Sequence, residues 1–215
     1  MKISILLMAL GVLAAARVFA QASPAPAAWK MYDKSRIAAA RGNRGEALKY
    51  LREAVALHPD FAAAYNDLGA VYLAEGEFSL AAESFQQALV VAPTHRLALA
   101  NLSLALIRMN RYREAGEVAR RGLDVDPDHA GLHLILAASL MAQPGGTGEA
   151  LEQIERASTQ IPKAHLLAAD LLLKAGRREE AMRHLEEYLR IAAPRDAGRA
   201  GTEARLAQLR REQPH

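Results

Sequence analysis

Residues 62–95, AAAYNDLGAVYLAEGEFSLAAESFQQALVVAPTH, carry the architecture in one line. Tyr65, Leu68 and Tyr72 stand three and four positions apart, which is one face of a helix. Gly76 marks a turn, after which Leu80, Ala81, Phe85, Ala88 and Leu89 resume the helical spacing. Pro93 then ends the second helix, because it has no N–H to donate and its ring clashes with the preceding turn. The small residues Gly69, Ala81 and Ala88 let the two helices approach closely, while Tyr72 and Phe85 fill the remaining space. The stretch therefore predicts a helix–turn–helix hairpin.

The same pattern continues on both sides. An alanine column runs Ala47, Ala81, Ala115, Ala150 and Ala181, with spacings of 34, 34, 35 and 31. Four residues on lie Leu51, Phe85, Ala119, Ile154 and Leu185. Three further is a small column, Ala54, Ala88, Gly122 and Ala157, with Tyr188 the exception. Prolines follow at 59, 93, 127 and 162, and turn signals precede each alanine at Gly42, Gly76, Asn110, Pro144-Gly145-Gly146 and Gly176. The units are 28–61, 62–95, 96–129, 130–161 and 162–194, the first three nearly complete. The fourth carries an extra residue and a PGGTG turn. The fifth has a shortened first helix, and its proline is displaced to Pro194. One hairpin cannot bury its apolar face alone, so stacking of neighbours must create a continuous core. Residues 195–215 read as a solvating cap, a helix from about Gly201 to Glu212 with Thr202 as N-cap and Ala204, Leu206, Ala207 and Leu209 on the packed side. Trp29 at the other end reads as a shield for the first hairpin.

On these columns the chain, over 28–194, resembles the tetratricopeptide repeat proteins. That resemblance implies an all-α fold, a right-handed α-solenoid of about five hairpins with a C-terminal capping helix. It also implies that the first helix of each unit lines a concave groove. Projected onto this sequence, that surface comprises Trp29, Tyr32 and Arg36, then Ala63, Asn66, Ala70 and Leu73. It continues through Leu97, Ala100, Asn101, Leu104 and Arg108, then Gly131, Leu134 and Ala138, and ends with Lys163, Leu166 and Asp170. Family members that clamp a peptide carboxylate use a basic and asparagine set there. Tyr32 stands where the first lysine would, so that specificity is not carried over. A mostly apolar surface suits an extended or helical segment of a partner protein.

Composition agrees with close-packed helices. The chain has 215 residues, 46 of them alanine, with 51% apolar and only 5% aromatic content. Small aliphatic residues suit helix-on-helix contact better than strands. The absence of cysteine excludes disulfides, thiolate metal sites, a thiol nucleophile and the lipoprotein export route.

Residues 1–20 read as a secretory signal peptide. Lys2 precedes fourteen apolar or small residues at 3–16, about 21 Å of helix against a hydrocarbon core of about 30 Å. Val18-Phe19-Ala20 offers a cleavage site before Gln21, and residues 21–27 form an Ala/Pro linker. Removing residues 1–20, with Lys2, Arg17 and no acid, takes 27 basic residues to 25 against 24 acidic ones, a net charge of +1. A charge that small argues against a nucleic-acid partner. The expected location is outside the cytoplasm, in the periplasm. The alternative is an uncleaved segment tethering the chain to the inner membrane, as an assembly factor for a secretion, pilus or polysaccharide-export machine.

No catalytic set emerges. His129 and His133 are four apart near Asp126 and Asp128, the spacing of a two-imidazole metal site. Yet His129 falls in an inter-unit turn, as do His58 and His95, and His133 takes a packing position, so no metal is expected. Gly145-Gly146-Thr147-Gly148 lacks the lysine of a phosphate loop, and no Gly-x-Ser-x-Gly or His-Glu-x-x-His is present. The sequence thus points to a non-catalytic, cofactor-free protein-interaction scaffold.

Overall fold

The computed structural model describes residues 25–212, so the expected signal peptide lies outside the described residues. Among them are eleven helices and no strand. They fall into two compact units, one ending at Pro93 and the other beginning at Thr94. The first holds α1 (Pro26–Ala40), α2 (Arg44–Leu57), α3 (Ala62–Glu75) and α4 (Phe78–Val91). The second holds α5 (Arg96–Arg108), α6 (Tyr112–Val125), α7 (Ala130–Met141), α8 (Thr147–Ser158), α9 (Ala164–Lys174), α10 (Arg178–Ile191) and α11 (Arg199–Arg211). Within each unit consecutive helices pair as hairpins, and the second helix of one hairpin packs on the first helix of the next. Helix α1 starts inside the stretch read as linker, with Pro26 in its first turn, where a missing N–H breaks no helical bond.

The turn within four of the five hairpins is one motif. Gly42, Gly76 and Gly176 have φ of 75°, 82° and 73°, and Asn110 adopts 58°. The amide that follows each of them reaches back five residues: Asn43 to Ala38, Glu77 to Tyr72, Arg111 to Leu106 and Arg177 to Leu172, all at 2.9 Å. This left-handed C-terminal cap satisfies carbonyls the helix leaves open. It needs a residue tolerant of positive φ, which is why asparagine can stand in for glycine. The prolines act at the other junction. His58, Ala92 and Asp126, each just before a proline, have φ between −144° and −132° and ψ between 83° and 93°. The proline ring forbids helical backbone to its predecessor, so the helix stops there. His95 and His129, two residues past Pro93 and Pro127, cap the next helices: their Nδ1 atoms accept from the amides of Ala98 and Leu132, each at 3.2 Å.

All five members of the alanine column are fully buried, as are the two columns that follow it. The packed stripe of the second hairpin is narrower than its sequence suggests, since Leu80 is 41% exposed. In the cap, Thr202 is no N-cap. Helix α11 begins at Arg199 after Gly198, and the Thr202 hydroxyl donates to the Gly198 carbonyl inside the helix. Its buried stripe is Thr202, Leu206 and Leu209, while Ala204 and Ala207 face solvent. The spacing of four and three fits one helical face; the alanines sit a step off it.

Helices α9 and α10 meet partly through a histidine pair. Nδ1 of His165 and Nδ1 of His184 are 3.0 Å apart, one donating and the other accepting. Burial pushes both imidazoles below their ordinary range; the His184 charge adds to this for His165, and Glu155, 3.9 Å from His184 Nε2, opposes it for His184. The unfolded chain therefore takes up protons more readily than the folded one. Stability is full above about pH 6.5 and is lost as pH falls through the lower folded values. The melting temperature of the wild type should drop more between about pH 7.5 and pH 5.5 than that of H165Q/H184Q. Equal slopes in the two melts would show that the pair is not what acid attacks.

Candidate functional site

Two of the expected groove residues on the first unit, Tyr32 and Asn66, are engaged with Asp67 of α3. The half-buried Tyr32 hydroxyl donates to Asp67 at 2.7 Å, and the Asn66 amide donates to the other Asp67 oxygen at 3.1 Å. Burial, reinforced by that carboxylate, raises the Tyr32 phenol well above its ordinary range, so it remains a donor. Its ring packs 4.9 Å from Phe61, which Trp29 also contacts at 4.9 Å. Trp29 shields this core on one side and remains 42% exposed on the other. Asn66, expected on the open surface, is only 5% exposed. Spacing explains the error: Asn66 lies 34 residues after Tyr32, but Asn101 lies 35 after Asn66, one step off the repeat. Asp67 is the residue in register with Asn101. Ala70 and Leu73 are half-buried, and Arg36 is exposed.

On the second unit, Leu97, Asn101, Leu104 and Arg108 share one face of α5, with Leu97 59% and Leu104 39% exposed. Leu134, also expected on the groove, lines an apolar cleft of this unit, about 530 Å³, between α7 and α9. Leu134, Ala138 and Met141 form the α7 wall, and Leu167 and Leu171 the α9 wall. Ile154 of α8 and Tyr112 of α6 close it, while Asp170 and Lys174 stand on the α9 rim. Asp170 is ion-paired with Arg205 of α11. Met141 and Leu167 are each about half exposed, at 48% and 49%, so they offer apolar area that the fold does not bury.

Of the residues expected from the fifth unit, Asp170 reaches the cleft; Lys163 and Leu166 do not, and Leu167 takes their place. Lys163 precedes α9 and Leu166 packs against the core. The alanine spacing of 31 held the signal. Leu167 lies 14 residues before Ala181, as Asn101 lies 14 before Ala115.

The two histidines at metal-site spacing are engaged in the fold. His129 caps α7, and His133 is buried, with Nε2 donating to the Pro127 carbonyl at 2.8 Å and Nδ1 facing the Gln153 side-chain amide at 2.7 Å. Among the described residues no group of three or more histidines or carboxylates is placed to hold a metal ion. No described helix is long and apolar enough to cross a membrane.

Comparison with known proteins gives the same hairpins elsewhere. Two family models, each described as a tetratricopeptide repeat, match residues 32–95 and 72–143. The small glutamine-rich tetratricopeptide repeat-containing protein 2 of Mycosarcoma maydis is 30% identical over 95 residues, 44% of this chain. The match spans about a quarter (27%) of that relative's length. Among solved structures, MamA from Desulfovibrio magneticus RS-1 superposes with a TM-score of 0.73 at 18% identity, covering 81% of this chain and 100% of that one. YrrB, described as having an unusual peptide-binding site, superposes at 0.68 with 19% identity, covering 81% and 90%.

Proposed function

This chain belongs to the tetratricopeptide repeat family, and from that premise we propose that it is a non-catalytic scaffold of the bacterial cell envelope. It holds an apolar segment of a partner protein in the cleft between α7 and α9. The observation that carries this reading is the cleft itself: about 530 Å³, walled by leucine, alanine and methionine, with Met141 and Leu167 half exposed. Such a surface gains by taking a helix or strand whose apolar side chains leave water, and the rim residues Asp170 and Lys174 orient its polar flanks. Likeness to a peptide-binding repeat protein supports the class of partner, and the run at residues 3–16 supports the location.

M141E/L167E tests it. Two carboxylates in the cleft mouth should abolish capture of one envelope partner while leaving the melting curve within a few degrees of wild type. A pull-down from envelope extracts followed by mass spectrometry reads this, and unchanged capture would place the partner elsewhere. Intact-mass measurement of the exported chain decides its location. A mature start at Gln21 in the soluble fraction supports the periplasmic scaffold, and retention of residues 1–20 in the membrane fraction supports the tethered assembly factor.

A further inference from the structure

Charge is unevenly spread over the first unit. Residues 26–57, the α1–α2 hairpin, carry Lys30, Lys34, Arg36, Arg41, Arg44, Lys49 and Arg52 against Asp33, Glu46 and Glu53, a net +4. Residues 58–93 carry five acids and no lysine or arginine. A chain that is nearly neutral beyond residue 20 thus concentrates its positive charge on its first hairpin.

Along α1 and its C-cap residue Arg41 these cations are in register. Lys30, Lys34, Ile37 and Arg41 follow one another at intervals of four, three and four, a single stripe, and all are exposed. Ile37 stands in the middle of the stripe at 53% exposure. With Tyr50 and Glu46 of α2, the side chains of Lys34, Ile37 and Arg41 border a shallow cleft of about 140 Å³. Lys34 Nζ lies 5.2 Å from the centre of the Tyr50 ring and Lys49 Nζ 6.0 Å from it, so α2 extends the cationic surface. Glu46 is the acid in that cleft, and Asp33 the acid on α1.

Place in the chain adds a second observation. The apolar run at residues 3–16 ends ten residues before α1 begins. In either reading of that run, signal peptide or membrane anchor, α1 follows it closely enough to be brought beside a bilayer. A basic stripe with long aliphatic lysine stems, and one apolar residue within it, suits an anionic surface that offers both phosphates and an apolar boundary.

We propose that the exposed stripe of α1, with Lys49 of α2, is a docking surface for an anionic phospholipid bilayer. The cations lie over headgroup phosphates and Ile37 seats at the acyl boundary. Each cation near such a surface strengthens binding roughly fivefold, and salt screens the attraction over about 10 Å. The surface lies on the first unit and the partner cleft on the second. Lipid binding in solution is therefore independent of the proposed scaffold function and of where the chain is exported.

The test uses residues 21–215, which keep every described helix, sedimented with vesicles of phosphatidylcholine alone or with added phosphatidylglycerol. Binding is expected only when phosphatidylglycerol is present, and should be released by high salt. K34E/R41E should weaken it at least about 25-fold. R121E/R195E makes the same change of charge on the second unit and should leave it near wild type. Circular dichroism checks that each variant is folded, and the salt titration needs no variant. The proposal is overturned by absence of phosphatidylglycerol-dependent binding, or by equal loss in both variants, which would make net charge rather than this face responsible. Capture of a soluble polyanion such as heparin without vesicle binding would overturn it as well.

Discussion

Gly69→Leu is expected to unfold the first unit. A Cβ added at Gly69 would stand 2.7 Å from Cδ1 and Cε1 of Phe85, and Phe85 is fully buried between the helices of the α3–α4 hairpin. Neither partner has room to give, so four extra carbons must push the hairpin apart. Two effects oppose each other at this position. Glycine inside a helix costs about 1 kcal/mol relative to alanine, so propensity favours replacement. Overpacking a filled core costs about 1–3 kcal/mol for small insertions and more for large ones, so sterics oppose it. Sterics should win even for alanine, with G69A modestly destabilised and G69L losing more than about 3 kcal/mol. Urea denaturation followed by circular dichroism measures both. G69A melting above wild type would mean that the helices do not touch there, and G69A/F85L should recover much of the loss if they do.

Tyr188→Ala should lower the melting temperature of the second unit by on the order of 10 °C. Tyr188 is the one large residue in a column otherwise made of alanine and glycine. The earlier members are small because the next hairpin comes close: a Cβ on Gly122 of α6 would stand 2.6 Å from Leu132 of α7. After α10 the described residues form a single helix, α11, in place of a hairpin, and the sizes are exchanged. Tyr188 is fully buried and the residue it meets at the entrance to the cap is Gly198. The phenol donates to Asp196 at 2.5 Å, and the same carboxylate oxygen accepts the Gly198 amide at 2.8 Å, which holds the start of α11 in place. Removal of the ring leaves a cavity and frees the cap. Y188F keeps the ring and loses only the hydroxyl, so its melting temperature should fall by a few degrees at most. Equal effects of the two variants would assign the stability to the hydrogen bond rather than to packing.

The repeat, the hairpin and the turns were legible because each rests on short-range chemistry. Gly76 and Asn110 tolerate positive φ, Pro93 and Pro127 end helices through their own rings, and Ala81 or Ala115 sits where only a methyl fits. The open surface was less legible. Tyr32 and Asn66 are polar residues on a first helix, which suggests an exposed wall, but both are spent on Asp67. Leu166 and Leu167 are the same residue type one position apart. One packs against the core and the other faces the cleft.

What residue order settles here is therefore the number of hairpins, the helical period, the turns that join them and the small residues that let them touch. Each follows from backbone freedom or side-chain volume within a few positions along the chain. What required the folded chain is the division of each first helix between core and open surface. One residue turns a helix by about 100°, so a register error of a single step moves a side chain from one to the other. Whether it then meets solvent depends on a neighbour some 35 residues away, such as Asp67 for Tyr32 or Arg205 for Asp170.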